Sequence, residues 1–193
     1  LVTFLLLPLY TNQFTPEQYG IVALFYTFVP LLNIVVRYGM GAAFLKNYVP
    51  ANKEDRMSIM TNVIISLVLT GIPFLLLFYF FRENLSLVFF GVVKPSYVIM
   101  MGIIIFLDTI WSIPMLALRA ENRPRLFIFL SFLNVGVTLL CNLVFIIIFK
   151  MNIGSIFLSN LIASLIIFIL VLPYIYQRFR FSSLSIVKWK TIL

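Results

Sequence analysis

Two charged residues lie inside long apolar runs, and they are the first places to look for chemistry. Arg37 interrupts the stretch from Tyr19 to Tyr48, and Asp108 sits near the middle of the run from Tyr97 to Leu118. A charge within a span is costly and normally faces a bundle interior or a wet cavity. Arg37 offers a planar donor fork that suits phosphate oxygens, so one reading puts it in a cavity wall facing an anionic head group. The other has it snorkelling to the interface or capping carbonyls. Asp108 has three readings: a partner for Arg37, a site for a coupling proton or cation, or a carboxyl hydrogen-bonded within the bundle. Gly39, Gly41 and Ala42 follow Arg37 and would let a helix or ligand come close.

Other chemistry has few carriers. The chain has no histidine, so imidazole bases and ligands are absent, and its single cysteine, Cys141, lies in an apolar run. No cofactor or metal is expected. Glu54-Asp55 is the one adjacent acidic pair and reads as a solvated loop. A membrane-embedded glycosyltransferase or polymerase, which calls for carboxylate, histidine or metal-ligand clusters, is therefore disfavoured.

The elements that must position these residues are membrane helices. Apolar residues make up 63% of the 193 and charged residues 10%, and mean hydropathy is +1.12. Soluble domains have roughly 45–50% apolar and 25% charged residues. A span needs about 20 apolar residues, and the expected fold is all-α, a polytopic bundle of about six transmembrane helices. The segments are a partial first one, 1–10, then Tyr19–Leu45, Met57–Phe81, Tyr97–Leu118, Leu126–Phe149 and Ile153–Tyr176. Thr15, Pro16 and Gln18 form a capping pattern before the second. Pro30, Pro73 and Pro114 should kink their helices. Leu85–Val93 is too short to span and is expected at the interface or dipping inward. The chain opens inside an apolar run without Met or a signal-peptide pattern, and is expected to be a piece of a longer protein. Residues 1–176 read as one transmembrane unit and 177–193 as a basic, aromatic segment lying on the membrane surface.

The net charge of +8 is not read as a nucleic-acid signal, because of where the charges fall. Ten basic residues belong to alternate loops and the tail: Lys46, Lys53, Arg56, Arg119, Arg123, Arg125, Arg178, Arg180, Lys188 and Lys190. Three, Arg82, Lys94 and Lys150, belong to the other side. This is the positive-inside pattern, and it puts the basic loops and the tail in the cytoplasm. Lys46, Arg119, Arg123 and Arg125 are read first as topology signals and contacts to anionic lipid, about 1 kcal/mol per charge near the surface. Asn33, Asn62, Asn134, Asn142 and Asn160 are read as interhelical hydrogen-bonding residues. Trp111 is read as a packing or lipid-facing residue.

Three stretches carry a family resemblance. Leu5-Leu6-Leu7-Pro8 through Thr15-Pro16-Glu17-Gln18-Tyr19-Gly20 resembles the first helix end and outer loop of polysaccharide flippases. Tyr38-Gly39-Met40-Gly41-Ala42-Ala43-Phe44-Leu45-Lys46-Asn47-Tyr48 is similar to the end of their second helix, with Lys46 where arginine is commoner. Leu118-Arg119-Ala120-Glu121-Asn122-Arg123-Pro124-Arg125 looks like their loop between helices four and five. The family is the polysaccharide-exporter, or O-antigen flippase, branch of the multidrug/oligosaccharidyl-lipid/polysaccharide exporter superfamily. The resemblance implies one lobe, the N-terminal one, of a two-lobe, twelve-helix exporter around a central cavity. The implied substrate is a lipid-linked oligosaccharide, a polyprenyl-diphosphate sugar, met by Arg37, Lys46 and Asn33, with Asp108 coupling an ion or pairing. The implied partners are membrane lipids and a C-terminal lobe, and the implied location is the inner membrane. A cation-coupled multidrug antiporter of the same superfamily is the nearest alternative, and a non-transporting scaffold lobe is another.

Overall fold

The computed structural model describes residues 2–178, with side chains described from Leu6 onward. Among these residues eight α-helices follow one another: α1 Val2–Gln13, α2 Pro16–Arg37, α3 Met40–Tyr48, α4 Lys53–Phe80, α5 Arg82–Phe90, α6 Pro95–Ala120, α7 Pro124–Leu143 and α8 Gly154–Arg178. Val144–Ile148 prolongs α7 as a π-helical turn. No strand occurs among the described residues. Among the described residues five helices are long and apolar enough to cross a membrane: α2, α4, α6, α7 with its π turn, and α8. With the short α1 they make the all-α polytopic bundle and the one partial and five complete spans read from the sequence.

Local chemistry sets the helix starts. Thr15 accepts from the Gln18 amide, and the Gln18 side chain accepts from the Thr15 amide, closing the capping box. Pro16, Pro95 and Pro124 each stand in the first turn of a helix, where their missing N–H costs nothing. Asn52 caps α4 by accepting from the Asp55 amide at 2.9 Å. Glu54 and Asp55 are therefore first-turn carboxylates of a helix, placed where the helix dipole favours them, rather than loop residues.

The second expected segment is where the structure differs most. It is not one helix from Tyr19 to Leu45. Tyr38 and Gly39 both adopt left-handed backbone, φ 35° and φ 81°, and divide it into α2 and α3. Two successive left-handed residues cannot continue a right-handed helix. α2 runs unbroken through Pro30, and α4 through Gly71 and Pro73. The hydroxyl of Tyr38 meets that of Ser66 and ties the bend to α4. The Leu85–Val93 stretch is partly helix: α5 packs on α6 and α2, and Gly91, φ 68°, ends it.

α6 is the axis of the bundle. Within its most apolar window 67% of residues are buried, against 17% for α7 and 22% for α2. α4 and α8 flank it. The α4–α6 approach is set by two reciprocal notches: a Cβ at Gly71 would come within 2.7 Å of the Phe106 ring, and one at Gly102 within 3.1 Å of Phe78. Bulk on each helix thus fits bare backbone on the other. The outward faces of α2, α4, α7 and α8 are apolar, with Ile34, Phe80, Phe132 and Tyr176 among the most exposed side chains, as a lipid environment requires. α8 extends through Gln177 and Arg178, beyond the expected boundary at 176. The rest of the expected surface-lying tail falls outside the described residues.

Candidate functional site

Arg37 is the last residue of α2, placed there by the Tyr38–Gly39 bend. It is half-buried. Its Nη2 donates to the main-chain oxygen of Asp108 at 3.2 Å. Of the three readings of Asp108, a pairing with Arg37 takes the form of a contact to its backbone carbonyl rather than to its carboxylate. Asp108 uses its Oδ1 elsewhere, accepting from the Ser164 hydroxyl of α8 at 2.6 Å and from the Trp111 indole N–H at 2.9 Å. Trp111 is thus a hydrogen-bonding member of the cluster rather than only a packing residue. Asn33, one turn before Arg37, is buried, and its Oδ1 accepts from Thr109 at 3.4 Å. The result is a polar seam joining α2, α6 and α8 at mid-bundle. Arg37 Nε is buried without a hydrogen-bond partner among the described residues.

On one side of this seam a groove of about 270 Å³ opens between α6 and α7. Arg37, Trp111, Ser112, Met115, Arg119 and Phe127 line it. Residues 111, 115 and 119 recur every four positions and share a face of α6. That face carries a second cation: Arg119 lies over the Phe127 ring of α7 at 5.2 Å. Arg119 was read from the sequence with the basic loop. The structure brings it into the same groove as Arg37, 82 positions earlier in the chain. The signal for this existed in the Trp111, Met115, Arg119 spacing, but only the α2–α6 packing shows what faces it.

The remaining expected site residues are placed apart. Lys46 is exposed on the last turn of α3, and no contact of the cluster includes it. Arg123 and Arg125 are exposed where α6 turns into α7. Arg125 already belongs to the first turn of α7.

A second polar cluster closes the basic end of the bundle, and the sequence reading did not find it. Glu121 receives the Tyr48 hydroxyl at 2.7 Å and Arg178 Nη2 at 3.1 and 2.9 Å, one bond to each carboxylate oxygen. Arg178 stacks on Tyr174 at 3.7 Å, and Arg123 Nε lies 3.8 Å from the same carboxylate. Arg56 donates to the main-chain oxygens of Tyr48, Val49 and Ala51. This clasp ties α3, α4, α6 and α8 together. Burial works against the Glu121 charge, but the Tyr48 hydroxyl and the Arg178 guanidinium hold its carboxyl below the ordinary value of 4.5. Burial, followed by the bond to Glu121, pushes the Tyr48 hydroxyl up to about 12.

A third cluster lies toward the opposite end. Tyr10 donates to Asn142 Oδ1 at 3.2 Å and lies 3.4 Å from the Tyr26 hydroxyl, which accepts from Asn160 at 3.1 Å. Asn142 and Asn160 thus join α1 and α2 to α7 and α8, the interhelical role expected of them.

Five apolar spans around an axial helix define a multi-pass membrane protein, with two guanidiniums lining a groove beside that helix. Over residues 1–193 the chain matches the family described as polysaccharide biosynthesis protein. It belongs to that family, and its role lies in polysaccharide biosynthesis or export. No match is found among curated proteins or among solved structures.

Proposed function

We propose that this chain is one lobe of a flippase that carries a lipid-linked oligosaccharide across the cytoplasmic membrane, with its basic end in the cytoplasm. The physical task is to move a hydrated, charged head group through an apolar slab about 30 Å thick. The observation that carries the reading is the groove lined by both Arg37 and Arg119. Two guanidiniums there offer fixed donors in place of water to a diphosphate, whose oxygens match the fork geometry. The lipid tail stays outside, against the apolar faces of the helices. In this reading the lobe works with a second one, and no bond is made or broken.

Asp108 is assigned a positioning role. Its Oδ1 bonds to Ser164 and Trp111 hold α6 to α8 and set the indole at the groove wall, and its main-chain oxygen holds Arg37. Lys46 and the exposed Arg123 and Arg125 act as topology signals and contacts to anionic lipid near the entrance.

The test is export of surface polysaccharide by cells carrying Arg37→Ala or Arg37→Lys in the full-length protein. A hydrogen bond to a charged group contributes about 1.5–3 kcal/mol, so Arg37→Ala should reduce export roughly tenfold or more at normal membrane levels. Arg37→Lys keeps the charge without the fork and should retain part. Undiminished export by the alanine variant would remove the groove from the mechanism.

A further inference from the structure

A separate pocket of about 390 Å³ lies at the end of the bundle opposite the Glu121 clasp. Gln13 and Phe14 at the end of α1, Gln18 in the first turn of α2, Ile146, and Lys150 and Asn152 of the α7–α8 connection line it. We propose that it is a subsite for an acidic sugar, a saccharide bearing a carboxylate or a phosphate. This rests on the export reading above and deepens it, naming the part of the substrate handled at the end away from the basic loops.

The chemistry of the wall makes the assignment. Three amides provide donors and acceptors that match sugar hydroxyls in both directions. The Gln18 Oε1 is taken by the capping box, which leaves its NH2 to offer. Phe14, Ile147 and Met151 give an apolar surface for the C–H face of a pyranose ring. The volume falls in the range of about 300–1,000 Å³ common for small-molecule sites. Lys150 is the sole cation of the wall. Glu17 and Glu83, the carboxylates at this end, are exposed and do not line the pocket.

The backbone adds an independent observation. α7 does not simply stop: its last turn widens into a π-helical turn, with Phe149 N–H donating to the Val144 oxygen and Met151 N–H to the Phe145 oxygen. Such turns recur at functional sites. Lys150 follows at φ 50°, a left-handed position that glycine or asparagine fills more easily. The strained turn thus carries a charge at the mouth of the pocket.

That geometry supplies a clean variant. Lys150→Gly removes the ammonium while relieving the backbone, so it should fold at least as well as the parent, checked by its thermal midpoint. The full-length protein in lipid nanodiscs is titrated by calorimetry with a glucuronate disaccharide, glucose 1-phosphate and a neutral glucose disaccharide. At least one acidic probe should bind ten times more tightly than the neutral one, and which of them does so identifies the anion. Lys150→Gly should lose that tenfold and Lys150→Arg should keep it. Equal binding of acidic and neutral probes, no binding of any probe, or unaltered binding by Lys150→Gly would each overturn the subsite. Full export by Arg37→Ala with Lys150-dependent binding intact would instead sink the export reading and leave this pocket standing.

Discussion

Glu121 concentrates three elements on one carboxylate, and its protonation should be felt by the whole basic end. Its folded carboxyl ionises below the 4.5 of an unperturbed one. A depressed folded value means that the clasp contributes its stability above the unfolded value and loses it as pH falls through the folded one. Thermal unfolding in detergent micelles should therefore show the midpoint of the parent protein falling as pH drops below 4.5. Glu121→Gln should start lower at neutral pH, because Arg178 loses its charged partner, and should fall less over the acid range. Parallel curves for the two proteins would mean that Glu121 is not the titrating group. Arg37 and Lys150 are tested at the same scale by the export and binding measurements given above.

At the scale of the element, the bend between α2 and α3 decides where Arg37 points. Gly39 takes φ 81° with open space around its missing Cβ, whereas Gly20 lies within α2 with equally open space. Alanine meets no clash at either site, so the backbone alone separates them. A left-handed alanine costs roughly 1–2 kcal/mol, and replacing a helical glycine by alanine gains roughly 0.5–1 kcal/mol. Gly39→Ala should lower the thermal midpoint and Gly20→Ala should raise it. If Gly39→Ala proved neutral, the bend would be set by Tyr38 and its Ser66 contact rather than by glycine.

At the scale of the whole molecule, the helix order brings the described basic loops to one end, where Tyr48, Glu121 and Arg178 meet. If that end is cytoplasmic, two valines of nearly equal exposure should behave oppositely. Val49, at the basic end, is 54% exposed and Val93, at the other, is 57% exposed. With Cys141 replaced, Val93→Cys should react with a membrane-impermeant maleimide in intact cells. Val49→Cys should react only after permeabilisation. The reverse pattern would invert the orientation and, with it, the direction of transport.

The sequence by itself determined that this is a polytopic helical membrane protein, which helices span and where several begin. Those properties are local: run length, charge placement, and cap or proline positions act within a few residues. It also singled out Arg37 and Asp108, because a charge in an apolar run is conspicuous without any neighbour. What the tertiary structure decided is whom they meet. Arg37 bonds a carbonyl rather than the Asp108 carboxylate, Arg119 joins it across a groove, and Glu121 gathers Tyr48 and Arg178. The break at Tyr38–Gly39 belongs here too: Arg37 and Gly39 suit a helix end, but the run stays apolar through Leu45, and the contact with Ser66 on α4 holds the bend. Each of these depends on residues from different helices, and how helices pack follows from shape, such as Phe106 on Gly71 and Phe78 on Gly102. A one-dimensional pattern of hydropathy does not encode that shape.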